Sequence, residues 1–357
     1  MPTETQVLDA LKSVKDPDLH RDIVTLGFIK GLTVKGGDVS FTLELTTPAC
    51  PVKDQLKADA EHAVAAVDGV THVSVTMDAQ VTGHASMSGR TILPGVRHVI
   101  PIAAGKGGVG KSTVSANLAV ALAKSGARVG LIDLDVYGPS IPGIMGVTDP
   151  PKVVEDRLIP AVAYGVKVMS MAFFMKQDDA TIWRGPMLHK VVEQFLTQVE
   201  WGELDYLIAD FPPGTGDIQL SLCQIMPLTG AVIVCTPQDA ALQVAKRAVT
   251  MFERLRTPVL GVIENMSYYQ CPHCEHHEHL FGHGGAKAMA DAIGTPLLGE
   301  IPLAKPIREA GDAGAPVVAV APETPLAKAF FVAARNLAAR VSVRSLAGSQ
   351  PEIKVSF

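Results

Sequence analysis

A glycine-rich segment at residues 105–113, with the sequence GKGGVGKST, constrains the fold of this chain more than any other feature. It satisfies the pattern G-x-x-x-x-G-K-[S/T], and it stands between an apolar run and a helical stretch, where that pattern has a structural meaning. Its glycines let the backbone wrap closely around phosphate oxygens. Lys111 supplies positive charge to the β- and γ-phosphates, and Ser112 offers a hydroxyl to Mg²⁺. The segment therefore predicts a nucleotide-binding loop.

The chain after this loop alternates apolar, β-rich runs with helical stretches. Continuous apolar strands joined by helices are typical of a mostly parallel sheet covered by helices on both faces. The predicted strands are residues 98–104, 128–134, 166–171, 206–210, 231–236, 258–264 and 296–301. The predicted helices include residues 111–125, 187–200, 240–255 and 284–293. We therefore predict an α/β fold of the P-loop NTPase type, with its ligand site at the carboxyl ends of the strands.

A small α+β region precedes this sheet. Helical patterns at residues 4–15 and 52–67 alternate with strand-like patterns at residues 39–47 and 71–77. The segment GHASMSGRTILPGVR, rich in small and turn-forming residues, follows and is typical of a linker. We predict a small α+β domain over residues 1–82, a linker over 83–97, an ATPase domain over 98–345 and a tail over 346–357.

Composition and charge argue against two classes of partner. The formal net charge of -5 disfavours nucleic acid, because binding to a phosphate backbone requires a basic surface. No run of 18 apolar residues occurs, and the first twenty residues lack a signal-peptide pattern. We therefore expect a cytoplasmic protein with no membrane partner.

Acidic side chains follow two of the predicted strands. Asp133 and Asp135 close the run LIDLD, and Asp210 closes the run YLIAD. Carboxylates at strand ends beside a phosphate loop are placed to hold Mg²⁺ or its bound waters. For Asp133, assistance to the metal and capping of the strand are equally compatible with the pattern. Asp217, in the segment GTGD, is expected to be a turn or helix-cap residue.

Three of the five cysteines lie apart from one another in the chain. An odd number of cysteines without an export signal does not indicate a disulfide framework. Cys223 and Cys235 lie in apolar stretches and are predicted to be core residues. Cys50 precedes a predicted helix, where the helix dipole lowers the pKa of a thiol. A half-buried cysteine at a strand end is an equal alternative for Cys50.

Cys271 and Cys274 form a CxxC pair in a polar segment between the strand at 258–264 and the helix that begins near residue 284. Two thiolates at this spacing can bind one metal centre together. The spacing alone is compatible with half of a zinc site, a redox pair or part of a larger centre. A Cys₂His₂ zinc site within one chain is feasible, because five histidines lie nearby: His273, His276, His277, His279 and His283.

The form GKGGVGKS, with its second lysine at position 106, resembles the deviant Walker A family of ATPases. That family includes the nitrogenase iron protein, the arsenite-pump ATPase and the MinD/ParA partitioning ATPases. The resemblance implies an ATP-dependent homodimer in which Lys106 acts on the nucleotide of the partner subunit. It also implies that Asp135 orients or deprotonates the attacking water, that Asp210 is the Walker B residue and that Asn265 reads adenine. The implied nucleotide-binding residues are Gly105, Lys106, Gly107, Gly108, Val109, Gly110, Lys111, Ser112, Thr113, Asp210 and Asn265.

Over essentially its whole length the sequence looks like the Mrp/ApbC family of iron–sulfur cluster carrier ATPases. The shared segments are the phosphate loop, DLDVYGPS, DFPPGTGD and ENMS…CPHC…FGHGG. The first 85 residues resemble the SufT/PaaD-like domain, through DPDLHRDIVTLGFI and TTPACP. The resemblance implies that Cys271 and Cys274 of two chains together hold a bridging [4Fe–4S] cluster, since such clusters take four thiolates. The stretch EHHEH is richer in histidine than the family pattern, and it is either a solvated loop or a secondary metal contact.

Three functions are compatible with this resemblance. The first is a slow, switch-like ATPase that carries a [4Fe–4S] cluster and transfers it to apo-proteins, with scaffold proteins as further partners. The second is a MinD/ParA-like positioning ATPase with zinc on the CxxC pair, but such proteins end in a basic amphipathic helix and this chain ends in RSLAGSQPEIKVSF. The third is an electron-donating reductase, whose cluster cysteines lie far apart in sequence. The CxxC pair favours the cluster carrier.

Overall fold

The computed structural model describes residues 1–17, 19–81, 93–175, 185–271, 274 and 276–348. The chain separates into two compact units. The first unit is Met1–Thr82 together with Ala338–Phe357, and the second is Gly83–Leu337. No helix in the described part of the chain is both long and apolar enough to cross a membrane.

The first unit contains a three-stranded sheet with two helices. Its elements are α1 (Glu4–Leu11), β1 (Lys15–Asp16), β2 (Arg21–Asp22), β3 (Ile29–Lys35), β4 (Asp38–Leu45), α2 (Lys53–Ala65) and β5 (His72–Ala79). Strand β4 lies at the centre, antiparallel to β3 and parallel to β5. Val39, Phe41, Leu43 and Leu45 of β4 are buried, because alternate side chains of a strand point to the same face. They form the core with α1 and α2.

The second unit is built on a nine-stranded sheet, in the order β10-β11-β7-β12-β6-β13-β14-β15, with β16 also paired to β14. Among the described strands of this sheet, only the pairs β10–β11 and β14–β15 are antiparallel. The strands, together with the short hairpin β8–β9 outside the sheet, are β6 (Val96–Ala103), β7 (Val129–Asp133), β8 (Lys152–Val154), β9 (Arg157–Ile159), β10 (Ala161–Ala163), β11 (Val166–Ser170), β12 (Leu204–Asp210), β13 (Ala231–Cys235), β14 (Val259–Gln270), β15 (His277–Glu278) and β16 (Leu297–Leu303).

Helices cover both faces of this sheet. They are α3 (Lys111–Lys124), α4 (Ile141–Ile144), α5 (Gly185–Thr197), α6 (Asp217–Ile225), α7 (Asp239–Arg254), α8 (Gly285–Ala292), α9 (Lys305–Asp312), α10 (Val317–Val320) and the part of α11 (Pro325–Gly348) up to Leu337, after which α11 belongs to the first unit. Leu207 and Ala209 of β12 pack in one core cluster with α5 and α6. Tyr206 and Ile208, which are equally buried, point to the opposite face. The predicted fold class, a mostly parallel sheet covered on both sides, is confirmed.

The register of the central strands brings the acidic side chains to the phosphate loop. Asp210 at the end of β12 pairs with Asp133 on β7 and with Ile102 on β6. The glycine-rich segment begins two residues after β6 and ends in α3. Because the strands are parallel, their carboxyl ends meet at one edge of the sheet, and the site lies there.

Strand β14 extends further than the sequence pattern predicts. The predicted strand ended at residue 264, and the residues before Cys271 were assigned to a polar loop, but β14 runs to Gln270. Tyr269 and Gln270 pair antiparallel with β15. The side chains of this extension are polar, so no apolar pattern marks it as a strand in the sequence. Its pairing with β16 shifts in register after Asn265. The cysteine pair therefore lies in the turn of a β-hairpin.

Other boundaries also differ from the predicted ones. Strand β6 begins at Val96, inside the predicted linker, and α11 continues to Gly348, beyond the predicted end of the ATPase domain. The rest of the linker up to residue 92 and the tail after residue 348 lie outside the described residues. Strands β8 and β9 carry mostly exposed side chains, so no apolar alternation marks them in the sequence.

Candidate nucleotide site and cysteine hairpin

The phosphate loop takes a backbone conformation that depends on its glycines. Gly108 and Gly110 have φ values of +80° and +77°, in the left-handed region that side chains disfavour. A Cβ atom on Gly110 would also lie 2.2 Å from Nδ2 of Asn265. The loop borders a cavity of about 290 Å³. The residues that line this cavity are Lys106, Gly107, Gly108, Gly110, Lys111, Ser112, Thr113, Asp135, Gly138, Ser140, Ile144 and Pro213.

Lys111 is buried against the acidic side chains of the site. Its Nζ lies 2.7 Å from Oδ2 of Asp210 and 3.7 Å from Oδ2 of Asp135. The hydroxyl of Ser112 donates to Oδ2 of Asp210 at 2.6 Å, and the hydroxyl of Ser115 donates to Oδ1 at 2.7 Å. The fully buried charge of Asp210 is thus compensated by one cation and two hydroxyls. Ser115 had not been identified from the sequence, although it lies one helical turn after Lys111.

Asp133 holds the loop that follows β7. One of its oxygens accepts a hydrogen bond from the backbone N–H of Asp135, and the other accepts from the N–H of Ile141 and the hydroxyl of Ser170. Burial, followed by the nearby charge of Asp210, raises the pKa of Asp133 to about 7. Both oxygens are used by the chain itself, which favours a structural role over assistance to a metal.

Asp135 faces the cavity from that same loop. Its Oδ1 accepts from the N–H groups of Tyr137 and Gly138, at 3.2 Å and 3.3 Å, while its Oδ2 points toward Lys111. These backbone contacts fix the carboxylate in the wall of the cavity, next to the phosphate loop as the sequence predicted. Asp217 is the first residue of α6, whose N-cap is Gly216, so the predicted turn or helix-cap position of Asp217 is wrong by one residue.

Lys106 lies at the rim of the cavity. Its Nζ is 3.3 Å from Oε1 of Gln238 in the same chain, at the start of α7. The predicted action on a partner's nucleotide is not tested by a single chain and stays a prediction.

Asn265 lies within β14 and supports the phosphate loop directly. Its Nδ2 donates to the carbonyl oxygen of Val109 at 2.8 Å, and its side chain is buried. Met266, which follows, has a φ of +56°, a conformation that is uncommon outside glycine. Sequence reasoning identified Asn265 only through a resemblance to adenine-reading residues and missed this contact. The adenine-reading role stays a prediction.

The cysteine pair lies in the turn between β14 and β15. Cys271 is half-buried and its N–H donates to the carbonyl oxygen of His276 at 2.9 Å, whereas Cys274 is exposed. The ring of His277 stacks on Tyr268 with 4.5 Å between centroids. The ring centroids of His279 and His283 lie 4.2 Å apart. His273 is outside the described residues. Among the side chains that the structure does describe, no group of three or more metal-binding residues is assembled.

The remaining cysteines lie in different surroundings. Cys235 is buried in β13, and Cys223 is half-buried between two core clusters. Burial raises the pKa of both thiols to about 12, so neither ionises readily near neutral pH. Cys50 is half-buried at the core of the first unit. The core assignment of Cys235 is confirmed, and Cys223 packs against the same kind of apolar surface.

Comparison with known proteins identifies the family. Residues 95–338, which include the loop, the acidic side chains and the hairpin, match the model of the NUBPL iron-transfer P-loop NTPases. This chain belongs to that family. Residues 4–75 match the model of an iron–sulfur cluster assembly protein, so the NUBPL-type domain is preceded by a second recognised one.

Relatives of the NUBPL-type chain carry consistent names. It is 47% identical over 351 residues to the iron-sulfur cluster carrier protein of Deinococcus radiodurans, covering 98% of this chain and 99% of that one. Among solved structures, it resembles a nucleotide-binding protein of Archaeoglobus fulgidus in complex with ADP, with 40% identity, a TM-score of 0.58, and coverage of 66% of this chain and 92% of that one. It also resembles the cell division ATPase MinD of Pyrococcus furiosus, with 25% identity, a TM-score of 0.51, and coverage of 67% and 97%.

The donor set of this NUBPL-type site suits Mg²⁺. Magnesium prefers oxygen ligands, and the hydroxyl of Ser112 and the carboxylate of Asp210 already lie 2.6 Å apart at the end of the phosphate loop. Lys111 and the backbone N–H groups of the loop supply the positive field that a triphosphate requires. One chain thus brings together a lysine, a hydroxyl and carboxylates of the kinds that a phosphoryl-transfer centre uses.

Proposed function

We propose that this chain is an ATP-hydrolysing carrier of a [4Fe–4S] cluster, which two copies hold between them through Cys271 and Cys274 and deliver to apo-proteins. The observation that carries the proposal is the position of the cysteine hairpin. Its strand β14 contacts the phosphate loop through Asn265 and then runs directly into Cys271. One continuous strand thus joins a nucleotide site to a thiol pair of which Cys271 is half-buried and Cys274 exposed.

The number and environment of the cysteines support a bridged cluster. A cluster held by four thiolates needs twice the number of thiolates that one CxxC pair provides. Cys223 and Cys235 pack in the apolar core clusters of the second unit and are accounted for as core residues. Cys50 belongs to the other unit. A second copy of the same hairpin is the simplest source of two more thiolates.

Nucleotide binding at this site rearranges Lys111. Phosphate oxygens attract its ammonium away from Asp210, and the carboxylate of Asp210 and the hydroxyl of Ser112 are the oxygen ligands that would hold Mg²⁺. A bound Mg²⁺ would neutralise charge on the phosphates. Asp135 accepts a hydrogen bond from the attacking water and orients it, and Lys106 of the partner subunit stabilises charge that develops during transfer.

Hydrolysis is expected to be slow, because the nucleotide acts as a switch between conformations of the dimer. The binding of ATP orders the two subunits, and its hydrolysis releases them. Since β14 links the loop to the hairpin, the two states present the cluster differently to a recipient. Apo iron–sulfur proteins and cluster scaffold proteins are the expected partners. We expect these steps to take place in the cytoplasm.

Anaerobic reconstitution with iron and sulfide tests this function. The wild-type chain should hold about one four-iron cluster per two chains, identified by its optical and Mössbauer spectra. Cys271→Ala and Cys274→Ala should each remove the cluster nearly as completely as the double variant, because two thiolates per dimer cannot hold it. Both variants should still bind ATP, since the phosphate loop is unchanged.

Three results would contradict this assignment. A full cluster on each monomer would exclude the bridged geometry. Tight binding of one zinc ion per chain, without a cluster, would favour a zinc site on the CxxC pair. Loss of iron in His276→Ala or His277→Ala would show that the imidazoles contribute ligands, whereas unchanged iron would identify them as surface residues.

A further inference from the structure

The two lysines of the phosphate loop are held by different kinds of partner. The ammonium of Lys111 is buried against the carboxylate of Asp210, at 2.7 Å. Lys106 is half-buried, and its ammonium donates to the neutral amide oxygen Oε1 of Gln238 at 3.3 Å. Lys106 forms no ion pair with any side chain that the structure describes, although Asp135 lines the same cavity. A hydrogen bond from an ammonium to a neutral amide is weaker than one to a carboxylate, so the contact of Lys106 is the more easily broken.

The contact with Lys106 accounts for the glutamine at position 238. Gln238 is the N-cap residue of α7, and its side chain makes no capping hydrogen bond to the helix. Glutamine is not among the residues that cap helices well, so local helix chemistry does not require this side chain. Its amide oxygen instead accepts from a lysine 132 positions earlier in the chain. The tertiary contact, and not the helix, therefore uses the side chain of Gln238.

The backbone at Gln238 is fixed by its neighbours. Pro237 is buried shortly after the end of β13. The carbonyl oxygen of Gln238 accepts from the N–H of Leu242 at 3.1 Å, in the first turn of α7. A Cβ atom on Gly285, the first residue of α8, would lie 3.2 Å from the carbonyl oxygen of Pro237, so α8 begins in close contact with this turn. Gln238 therefore cannot follow Lys106 if the lysine moves toward another molecule.

We propose that Gln238 is a positioning residue, which retains Lys106 within its own chain until the nucleotide of a partner subunit takes the lysine. This inference rests on the proposed function, in which Lys106 acts on the partner's nucleotide. Engagement of the partner's phosphates breaks the hydrogen bond between Lys106 and Gln238. The free energy of this hydrogen bond opposes association, so the contact sets the concentration at which the ATP-bound dimer forms.

The symmetry of the dimer doubles the effect of this contact. Each of two equivalent subunits breaks its own hydrogen bond between Lys106 and Gln238 when the dimer forms. The loss of one neutral hydrogen bond changes an equilibrium constant by about fivefold. Removal of both should therefore change the dissociation constant of the dimer by about 25-fold. A carboxylate at position 238 should act in the opposite direction, because it holds an ammonium more strongly than an amide does.

Competitive acetylation of the nucleotide-free full chain tests the contact itself, with the rate at Lys106 read by peptide mass spectrometry. Gln238→Ala should raise this rate by about fivefold, because the amine loses its partner. Gln238→Glu should lower the rate at least about twofold, because a carboxylate retains the ammonium. The matched controls are Gln243→Ala and Gln243→Glu, at an exposed glutamine of the same helix. They should change the rate less than about twofold.

Sedimentation equilibrium of the full chain, with Mg²⁺ and a saturating non-hydrolysable ATP analogue, tests the exchange of partners. Gln238→Ala should lower the dissociation constant of the dimer by about 25-fold. Gln238→Glu should raise it at least about tenfold, and both Gln243 variants should stay within about twofold of the wild type. The affinity for ADP should be unchanged in Gln238→Ala, since Gln238 is not among the described residues that line the nucleotide cavity.

Each part of the proposal can be overturned separately. Unchanged acetylation of Lys106 in both Gln238 variants would exclude the contact, and changed acetylation with an unchanged dimer would exclude its control of association. Weaker binding of ADP to Gln238→Ala would make Gln238 a nucleotide-binding residue instead. Lys106→Ala separates this inference from the proposed function. If Lys106→Ala associates as the wild type does, the proposed action of Lys106 on the partner is wrong. If it loses association while the Gln238 variants keep the wild-type constant, this inference alone is wrong.

Discussion

The ammonium of Lys111 lies 2.7 Å from Oδ2 of Asp210, so the lysine that should meet the phosphates is paired with a carboxylate of its own chain. Both side chains are nearly or fully buried, and the pair is strengthened by the low polarity around it. Nucleotide binding therefore exchanges one partner of Lys111 for another and does not create a new buried charge.

Removal of Lys111 should affect both binding and stability. Lys111→Ala should abolish ATP binding, measured by calorimetry, because the loop loses its phosphate-facing charge. It should also lower the free energy of unfolding by about 3 kcal/mol, since Asp210 keeps a buried charge without its cation. Adding Asp210→Asn should restore part of the stability in urea titrations but none of the binding. Unimpaired ATP binding in Lys111→Ala would disprove the assignment of the loop.

The second lysine of the loop should behave differently. Lys106→Ala should retain ATP binding and lose hydrolysis, because the contact that Lys106 makes within its own chain is with Gln238, at the rim of the cavity. Steady-state phosphate release and calorimetric binding on the same preparation check this. If ATP binding falls as far as hydrolysis does, Lys106 serves the nucleotide of its own subunit.

Asn265 should act through the shape of the loop. Asn265→Ala removes its hydrogen bond to Val109, a contact worth about 1 kcal/mol. The affinities for ATP and GTP should therefore both weaken by about fivefold. Competition with a fluorescent nucleotide measures the two affinities. A loss confined to ATP would instead support the adenine-reading role.

Asp133 should make stability depend on pH. Its pKa in the folded chain, about 7, lies above the ordinary value of 3.8, so the folded state holds a proton that the unfolded state releases. The contribution of this bound proton to the free energy of unfolding is therefore complete below about pH 4. It is lost as the pH rises toward 7, at up to about 1.4 kcal/mol per pH unit. Urea titrations from pH 4 to 8 should show a weaker decline for Asp133→Asn. Parallel curves for the two chains would contradict the raised pKa.

Cys50 should contribute nothing to the main cluster. Cys50→Ala should leave the iron content after reconstitution within error of the wild type, because the thiol belongs to the first unit and the bridging thiols to the second. The matched comparison is Cys271→Ala, which should lose the cluster. A loss of half of the iron in Cys50→Ala would assign Cys50 to a centre of its own.

The sequence by itself determined the features that depend on neighbouring residues. The phosphate loop could be identified because its glycines and its lysine act within nine consecutive positions. The parallel strands could be located because strands buried on both faces require unbroken apolar runs, and β7, β12 and β13 have them. The acidic residues at strand ends followed from the same pattern.

Only the tertiary structure decided which distant groups meet. Asn265 donates a hydrogen bond to Val109, which lies 156 positions away in the chain. No local sequence pattern predicts that contact. The extension of β14 carries polar side chains, so its strand conformation depends on pairing with β15 and not on burial. Gln219 looks like an ordinary helix residue until its neighbours bury it and leave its Oε1 without a partner among the residues that the structure describes. Burial and pairing arise from the packing of the whole unit, and therefore side chains whose function depends on them cannot be identified one segment at a time.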